Sequence, residues 1–388
     1  MTFADPLDPL ALDSVLSQEE LAVRDAVRGF VEARILPDVG DWFERGEFPA
    51  EVRDSVAELG LLGMHLEGYG CLGASATSYG LACMELEAGD SGLRSFVSVQ
   101  GSLSMFPLHR YGSEEQRDEW LPRMAAGEVV GCFGLTESDS GSDPARMRTN
   151  ARRDGDDWIL NGTKMWITNG GIAGVAIVWA QTDDGVRGFV VPTDTPGFST
   201  NDVHRKLSLR ASVTSELVMD DVRLPAAAVL PGVTGMKGPL SCLTEARYGI
   251  VWGAMGAARA CLASALEYAA SRVQWGRPIA GFQLTQAKLA EMTVQLQQGL
   301  LLAHHLGRMK DDGRLRPEHV SVGKLNNVRA ALDIARTCRS ILGASGITLE
   351  YPVMRHMNNL ESVFTYEGTQ EIHTLIVGHA LTGLRAFG

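Results

Sequence analysis

Gly134-Leu-Thr-Glu137-Ser-Asp-Ser140-Gly141-Ser142-Asp143 is the stretch on which the reading of this chain turns. Before it, apolar residues recur at three- and four-residue intervals. After it, they come in short runs separated by turns rich in Asp and Gly. The stretch itself reads as a strand leaving a core and entering a turn of small residues. Two readings of that turn stay open: successive free backbone N–H groups that cradle an anion such as a phosphate, or a plain β-turn.

Upstream, Ser17-Gln-Glu-Glu20 is a capping box with Leu16 and Leu21 placed as its hydrophobic staple, and Val23, Val27, Phe30 and Val31 follow at helical spacing. A second helix fits Glu51 to Leu59 with Gly60 as its stop, and Ser113-Glu-Glu-Gln116 opens another. Downstream, Asp154-Gly155-Asp156-Asp157 turns a hairpin within 150–169. Val175 to Ala180 pairs with Gly188 to Val191, and Glu216 to Met219 is a further strand. After Pro239 the chain is helical again: 240–275 without a proline, 284–309, a helix opened by Pro317 and stopped at Gly343, and a last one over 367–385. The expectation is an α+β multidomain protein. It has an N-terminal helical domain (1–130), a middle antiparallel β domain (131–236) and a C-terminal four-helix bundle (237–388).

Composition narrows the function. The chain has 388 residues, 35 Lys plus Arg against 47 Asp plus Glu, and a net charge of −12. That balance lacks the electrostatic footprint of nonspecific nucleic-acid binding, and an anionic membrane repels it. The expectation is no nucleic-acid and no membrane partner. No apolar run looks long and clean enough to cross a bilayer; the best, 165–182, is broken at Asn169, Gly170 and Gly171. Six scattered cysteines without a C-x-x-C pair predict a reduced, metal-free interior. The acidic N-terminus reads as neither a secretory signal nor a transit peptide, so the expected location is the cytoplasm.

Several motifs carry two readings. Gly68-Tyr-Gly70-Cys-Leu-Gly73 is formally G-x-G-x-x-G, but no second strand ending in an acid follows, which favours an ordinary glycine loop. His304 and His305, adjacent on a helix, cannot face one ion together. In Lys164-Met-Trp166-Ile-Thr168, a Trp and a hydroxyl two positions on share one face of a strand. That suits a flat aromatic ligand needing a hydrogen bond; a buried core Trp is the competing reading. Glu367 alone reads as an exposed acid at a helix start, and Arg94 as a solvated residue after the Asp90-Ser-Gly-Leu turn.

The 134–143 segment, Trp166–Thr168 and Tyr366-Glu367-Gly368-Thr369 together resemble the acyl-CoA dehydrogenase family, whose fold has the same helix, β, helix order. Asp90-Ser-Gly-Leu-Arg94-Ser95, Val99-Gln-Gly-Ser-Leu103, Ala246-Arg-Tyr-Gly-Ile250 and Arg355 to Glu361 are most similar to the family's glutaryl-CoA-oxidising branch. The resemblance implies FAD as cofactor, an acyl-CoA substrate, an electron-transfer flavoprotein as electron acceptor and a homotetramer. It implies Glu367 as the base that removes the substrate's α-proton while the β-hydride passes to the flavin. Phe133, Leu135, Thr136, Gly141, Ser142, Trp166, Ile167 and Thr168 would line the flavin. Arg272, Gln283, Ser340, Leu342, Gly343, Ala344, Thr369 and Phe387 would hold the rest of the dinucleotide, some from a neighbouring subunit. Ser142, Arg247 and Gly368 would lie with the substrate. Arg94 and Ser95 would take the distal carboxylate of glutaryl-CoA, with Glu87 and Tyr366 beside them. The alternatives left open are a short neutral acyl-CoA, a dicarboxylyl-CoA oxidised without decarboxylation, and a non-catalytic flavin-binding relative.

Overall fold

Ser17 and Ser113 each bond the backbone N–H three residues on, while Glu20 and Gln116 bond back to the cap. These reciprocal caps satisfy helix-end donors that otherwise lack partners. They start α1 (Gln18–Phe30) and α5 (Glu114–Ala125). Between them lie α2 (Ala50–Glu58), α3 (Ala76–Gly89) and α4 (Ser91–Ser98). The computed structural model describes residues 3–386. The glycine motif at 68–73 is a two-stranded ribbon, Glu67–Gly68 against Cys71–Leu72, with positive φ at Gly68, Gly70 and Gly73. It is a turn, not a dinucleotide fingerprint. Asp90-Ser-Gly-Leu, expected as a turn, opens α4: the Asp90 carboxylate caps it by accepting from the Gly92 N–H at 2.7 Å.

The middle domain is a seven-stranded sheet: β1 (Gly131–Gly134), β2 (Asn150–Asp154), β3 (Asp157–Thr168), β4 (Val175–Thr182), β5 (Gly185–Pro192), β6 (Phe198–Asp202) and β7 (Thr214–Leu224). The order is β1-β4-β2-β3-β7-β6, with β5 paired to β4. The hairpin expected at 154–157 turns on Gly155-Asp156, with Asp154 opposite Asp157. Two features depart from expectation. β6 is half-exposed and too polar to announce itself. And the sheet is not wholly antiparallel: β1 lies parallel to β4, Gly131 opposite Val175, a pairing that needs the long connection supplied by the β2–β3 hairpin.

Among the described residues the C-terminal domain has five principal helices rather than four: α6 (Lys237–Ser271), α7 (Gln283–Asp311), α8 (Pro317–Leu342), α9 (Pro352–Thr365) and α10 (Gln370–Thr382). The extra one, α9, has a proline in its first turn, where the missing N–H costs nothing. The last helix begins at Gln370, not at 367. Against expectation, α6 is long and apolar enough to cross a membrane by length and composition, yet 72% of that window is buried within the protein. It is the central helix of the core. Its glycines let α3 approach: a Cβ on Gly256 would sit 1.9 Å from the Met84 carbonyl oxygen, and one on Gly253 only 2.0 Å from Glu87 Oε2. The close approach brings Glu87 and Arg94 to a position just behind Tyr366, which lines the site.

Candidate active site

A cavity of about 1220 Å³ opens where the three domains meet. Its sheet wall comes from β1 and the turn after it (Phe133, Leu135, Thr136, Gly141, Ser142) and from the end of β3 (Trp166, Ile167, Thr168). A buried ion pair holds this wall. Lys164 Nζ donates to Glu137 Oε1 at 2.8 Å and to the Leu135 carbonyl at 3.0 Å. The Glu137 carboxylate also accepts from the Arg148 and Thr149 N–H groups at 2.6 and 2.9 Å. Burial pushes the Glu137 carboxyl up, but these donors and Lys164 outweigh it and hold the group down at about 2. Burial brings the Lys164 ammonium down to about 8 against the pull of Glu137.

Trp166 is 58% exposed and is not a core residue. Its φ is +66°, inside a register irregularity between Lys164 and Ile167. Strict alternation fails there, which is why Trp166, Ile167 and Thr168 all reach the cavity.

The opposite wall carries the chemistry. Glu367 has φ +52° and Gly368 φ +94°. This left-handed turn, between the end of α9 and the start of α10, presents Glu367 to the cavity rather than to solvent. Glu367 Oε2 is buried and has no hydrogen-bond partner among the described residues. Burial raises the carboxyl pKa and Glu87 adds to the rise, while Arg94, Lys324 and Arg247 oppose it. The turn's backbone is tied down: Arg247 Nε donates to the Glu367 carbonyl at 2.7 Å, and Lys324 Nζ donates to the Tyr366 carbonyl and, at 2.6 Å, to that of Gly368. Lys324 and His373 are site residues that sequence reading missed, since neither lies in a motif.

Ser95 and Tyr366 line the cavity near Glu367, with Ser95 Oγ 3.3 Å from the Tyr366 hydroxyl. Burial pushes the Tyr366 phenol up, against the pull of Arg94. Arg94 stands one layer behind them, wholly buried. Its Nε donates to Glu87 Oε2 at 2.6 Å and its Nη2 to the Tyr366 hydroxyl, while Nη1 has no partner among the described residues. Far from being solvated, it is among the most enclosed side chains in the protein.

The structure brings Glu367, Tyr366, Gly368, Thr369, Arg247, Ser95, Ser142 and the sheet-wall residues to one cavity. It does not bring Arg272, Gln283, Ser340, Leu342, Gly343 or Ala344 there. Arg272, Gln283, Ser340, Gly343 and Ala344 are exposed, whereas the Leu342 side chain belongs to the core at 1% exposure. Phe387 lies outside the described residues.

The comparisons agree across the whole chain. The N-terminal, middle and C-terminal domains of acyl-CoA dehydrogenase match residues 17–128, 132–222 and 234–382. A crystal structure of glutaryl-CoA dehydrogenase from Mycobacterium smegmatis is 66% identical with a TM-score of 0.97, covering 98% of this chain and 99% of that one. A second, of a glutaryl-CoA dehydrogenase from the same organism in complex with FADH2, is 64% identical with a TM-score of 0.98 and covers all of both chains. The bovine (Bos taurus) mitochondrial short-chain specific acyl-CoA dehydrogenase is 34% identical over 380 residues, 96% of this chain and 92% of its own. The chain belongs to the acyl-CoA dehydrogenase family.

Proposed function

We propose that this protein is an FAD-dependent enzyme that oxidises glutaryl-CoA and releases CO2 to give crotonyl-CoA. The observation that carries the reading is the buried, unpartnered carboxylate oxygen of Glu367 facing the same cavity as Ser95 and Tyr366, with Arg94 and Glu87 paired behind them. The high identity to glutaryl-CoA dehydrogenases supports the choice of acyl group. The sheet wall fits a flavin: the exposed Trp166 face suits a flat ring, Thr136 and Thr168 supply hydroxyls, and nothing lies within 4 Å of where a Cβ on Gly141 would be. When bound, FAD supplies the hydride acceptor. Arg272, Gln283, Ser340 and the Gly343–Ala344 turn stand on the surface, where a neighbouring copy in a homotetramer can bring them to the dinucleotide. An electron-transfer flavoprotein is the proposed acceptor of the electrons.

The chain's own part follows from charge and burial. A thioester α-proton is weakly acidic, so its removal needs a strong base and a stabilised enolate oxygen. Burial makes Glu367 a stronger base than a solvated carboxylate. Its backbone N–H has no partner among the described residues and can donate to the thioester oxygen; one such donor is typically worth about 3–4 kcal/mol. Tyr366 and Ser95 offer hydroxyls to the distal carboxylate, with the Arg94 charge behind them. Once the acyl chain is oxidised, the carbon that bears that carboxylate is attached to the new α,β double bond, which makes the carboxylate vinylogous to the thioester carbonyl. Its C–C bond then breaks, CO2 leaves, and the electron pair enters a dienolate. Protonated Glu367 returns its proton to the carbon chain.

One observation favours a second reading, oxidation of a short neutral acyl-CoA: Arg94 stands behind the cavity wall with two of its nitrogens already engaged. Anaerobic mixing with glutaryl-CoA or butyryl-CoA, with flavin bleaching and CO2 both followed, separates the two. The proposal expects faster bleaching by glutaryl-CoA, with one CO2 per acyl group. Faster bleaching by butyryl-CoA with no CO2 from glutaryl-CoA overturns it.

A further inference from the structure

Three consecutive carbonyls, those of Tyr366, Glu367 and Gly368, are held by buried side chains from separate helices of the bundle. Lys324 on α8 donates to the first and third, and Arg247 on α6 to the second. His373 on α10 also reaches the second, with Nε2 at 3.2 Å. A carbonyl only accepts, so Nε2 carries the proton and Nδ1 takes the Ser321 hydroxyl at 3.0 Å. That neutral form is the one burial favours, bringing the ring down to about 3. Such bracing is needed because a non-glycine residue in the left-handed region stores about 1–3 kcal/mol of strain. The bracing is also crowded, since a Cβ on Gly368 would come within 2.8 Å of His373 Nε2.

We infer that Lys324 is a positioning residue for Glu367: its ammonium fixes the turn that aims the carboxylate, and its charge keeps that carboxylate ionised in a buried site. Lys324 is 0% exposed. An ammonium there is cut off from bulk solvent, and the two carbonyls accept its hydrogen bonds, with the charge of Glu367 nearby. Burial brings its pKa to about 7 against the pull of Glu367. Glu367 is faced by Arg94 and Glu87 from the N-terminal domain, Arg247 from α6, Lys324 from α8 and His373 from α10, with Tyr366 adjacent in its own turn. Of the three cations, only Lys324 bonds the carbonyls on both sides of the base.

The inference rests on Glu367 being the base, so the test has one arm that needs no substrate. In the holoenzyme, the infrared carbonyl band of protonated Glu367, identified by its loss in Glu367→Gln, is titrated in wild type and in Lys324→Met. Removing a nearby positive charge should move the midpoint up by about one pH unit or more. In the second arm, anaerobic flavin reduction by glutaryl-CoA should slow roughly 10- to 100-fold with KM changed less than about threefold, and Lys324→Arg should recover part of the rate. If Lys324→Met gives no soluble holoenzyme, Lys324→Gln answers the same question, because it keeps a donor and loses the charge. A midpoint that stays put, with loss of thermal stability alone, overturns the inference. A shifted midpoint in a protein whose wild type does not oxidise glutaryl-CoA leaves Lys324 in its role and removes the proposed substrate instead.

Discussion

The guanidinium of Arg94 is wholly enclosed, yet only two of its nitrogens are engaged, Nε by Glu87 and Nη2 by the Tyr366 hydroxyl. Replacing it with glutamine removes a charged donor near the distal end of the acyl site. Arg94→Gln should therefore lower kcat/KM for glutaryl-CoA by roughly 10- to 150-fold, the effect of about 1.5–3 kcal/mol. Butyryl-CoA, which lacks the second carboxylate, should lose far less, and the ratio between the two substrates is the measurement. Equal losses on both would make Arg94 a strut for Tyr366 rather than a reader of substrate charge. The same change strands Glu87 in the interior, so urea unfolding should show a loss of about 3–5 kcal/mol. Which residues could be found from sequence follows the same physics. Trp166 and Thr168 stand in a short strand motif whose residue types suit a flat ligand, whereas Glu367 alone reads as an exposed acid and is found through the family resemblance of Tyr366 to Thr369. Lys324 and His373 act through backbone carbonyls, which accept from any donor and leave no residue-type signature. Lys324 is also 42 and 44 residues distant from the carbonyls it holds.

Among the elements, the turn that follows β1 depends on Glu137 most directly. The carboxylate binds two backbone N–H groups and Lys164, and its pKa falls from 4.5 to about 2 on folding. Between those values the unfolded chain holds more protons than the folded one, so this group's stabilisation is present above about pH 4.5 and is lost as pH falls toward 2. The stability gap between wild type and Glu137→Gln should be largest above pH 4.5 and narrow as pH falls through that window, as read by urea midpoints. A gap independent of pH would mean that packing, not charge, holds the turn. Capped helices and the Gly155-Asp156 hairpin were legible from sequence because their signals are local. α4 was missed because Asp90-Ser-Gly-Leu serves equally as a turn or as a cap and first turn. β6 was missed because an edge strand half in solvent shows no apolar alternation.

For the whole molecule, the cavity is walled by residues from all three domains. A ligand that fills it therefore stabilises the protein as one body. Stripping FAD should lower the thermal midpoint, and adding FAD back should restore it; at a hundredfold excess over Kd the linkage is about 2.7 kcal/mol. A midpoint unmoved by FAD in differential scanning calorimetry would count against this cavity as the flavin site. The helix, sheet, helix order was readable because periodicity changes sharply on either side of the sheet. The close contact of α3 with α6 was not, since it depends on Gly253 and Gly256 facing Glu87 and the Met84 carbonyl with the whole middle domain between them in the chain.

The parallel pairing of β1 with β4 has a kinetic consequence. Gly131 and Val175 pair with the whole β2–β3 hairpin between them in the chain. A contact spanning that much chain closes late, because the loop's entropy is lost before the ladder rewards it. Phe133, at the cavity wall, sits on β1 and gains its neighbour Ile177 only at that step. A chain still emerging from the ribosome therefore has its N-terminal segment well before it has a cavity to fill, since the wall opposite Phe133 comes from the turn at Tyr366 to Thr369, near the other end of the chain.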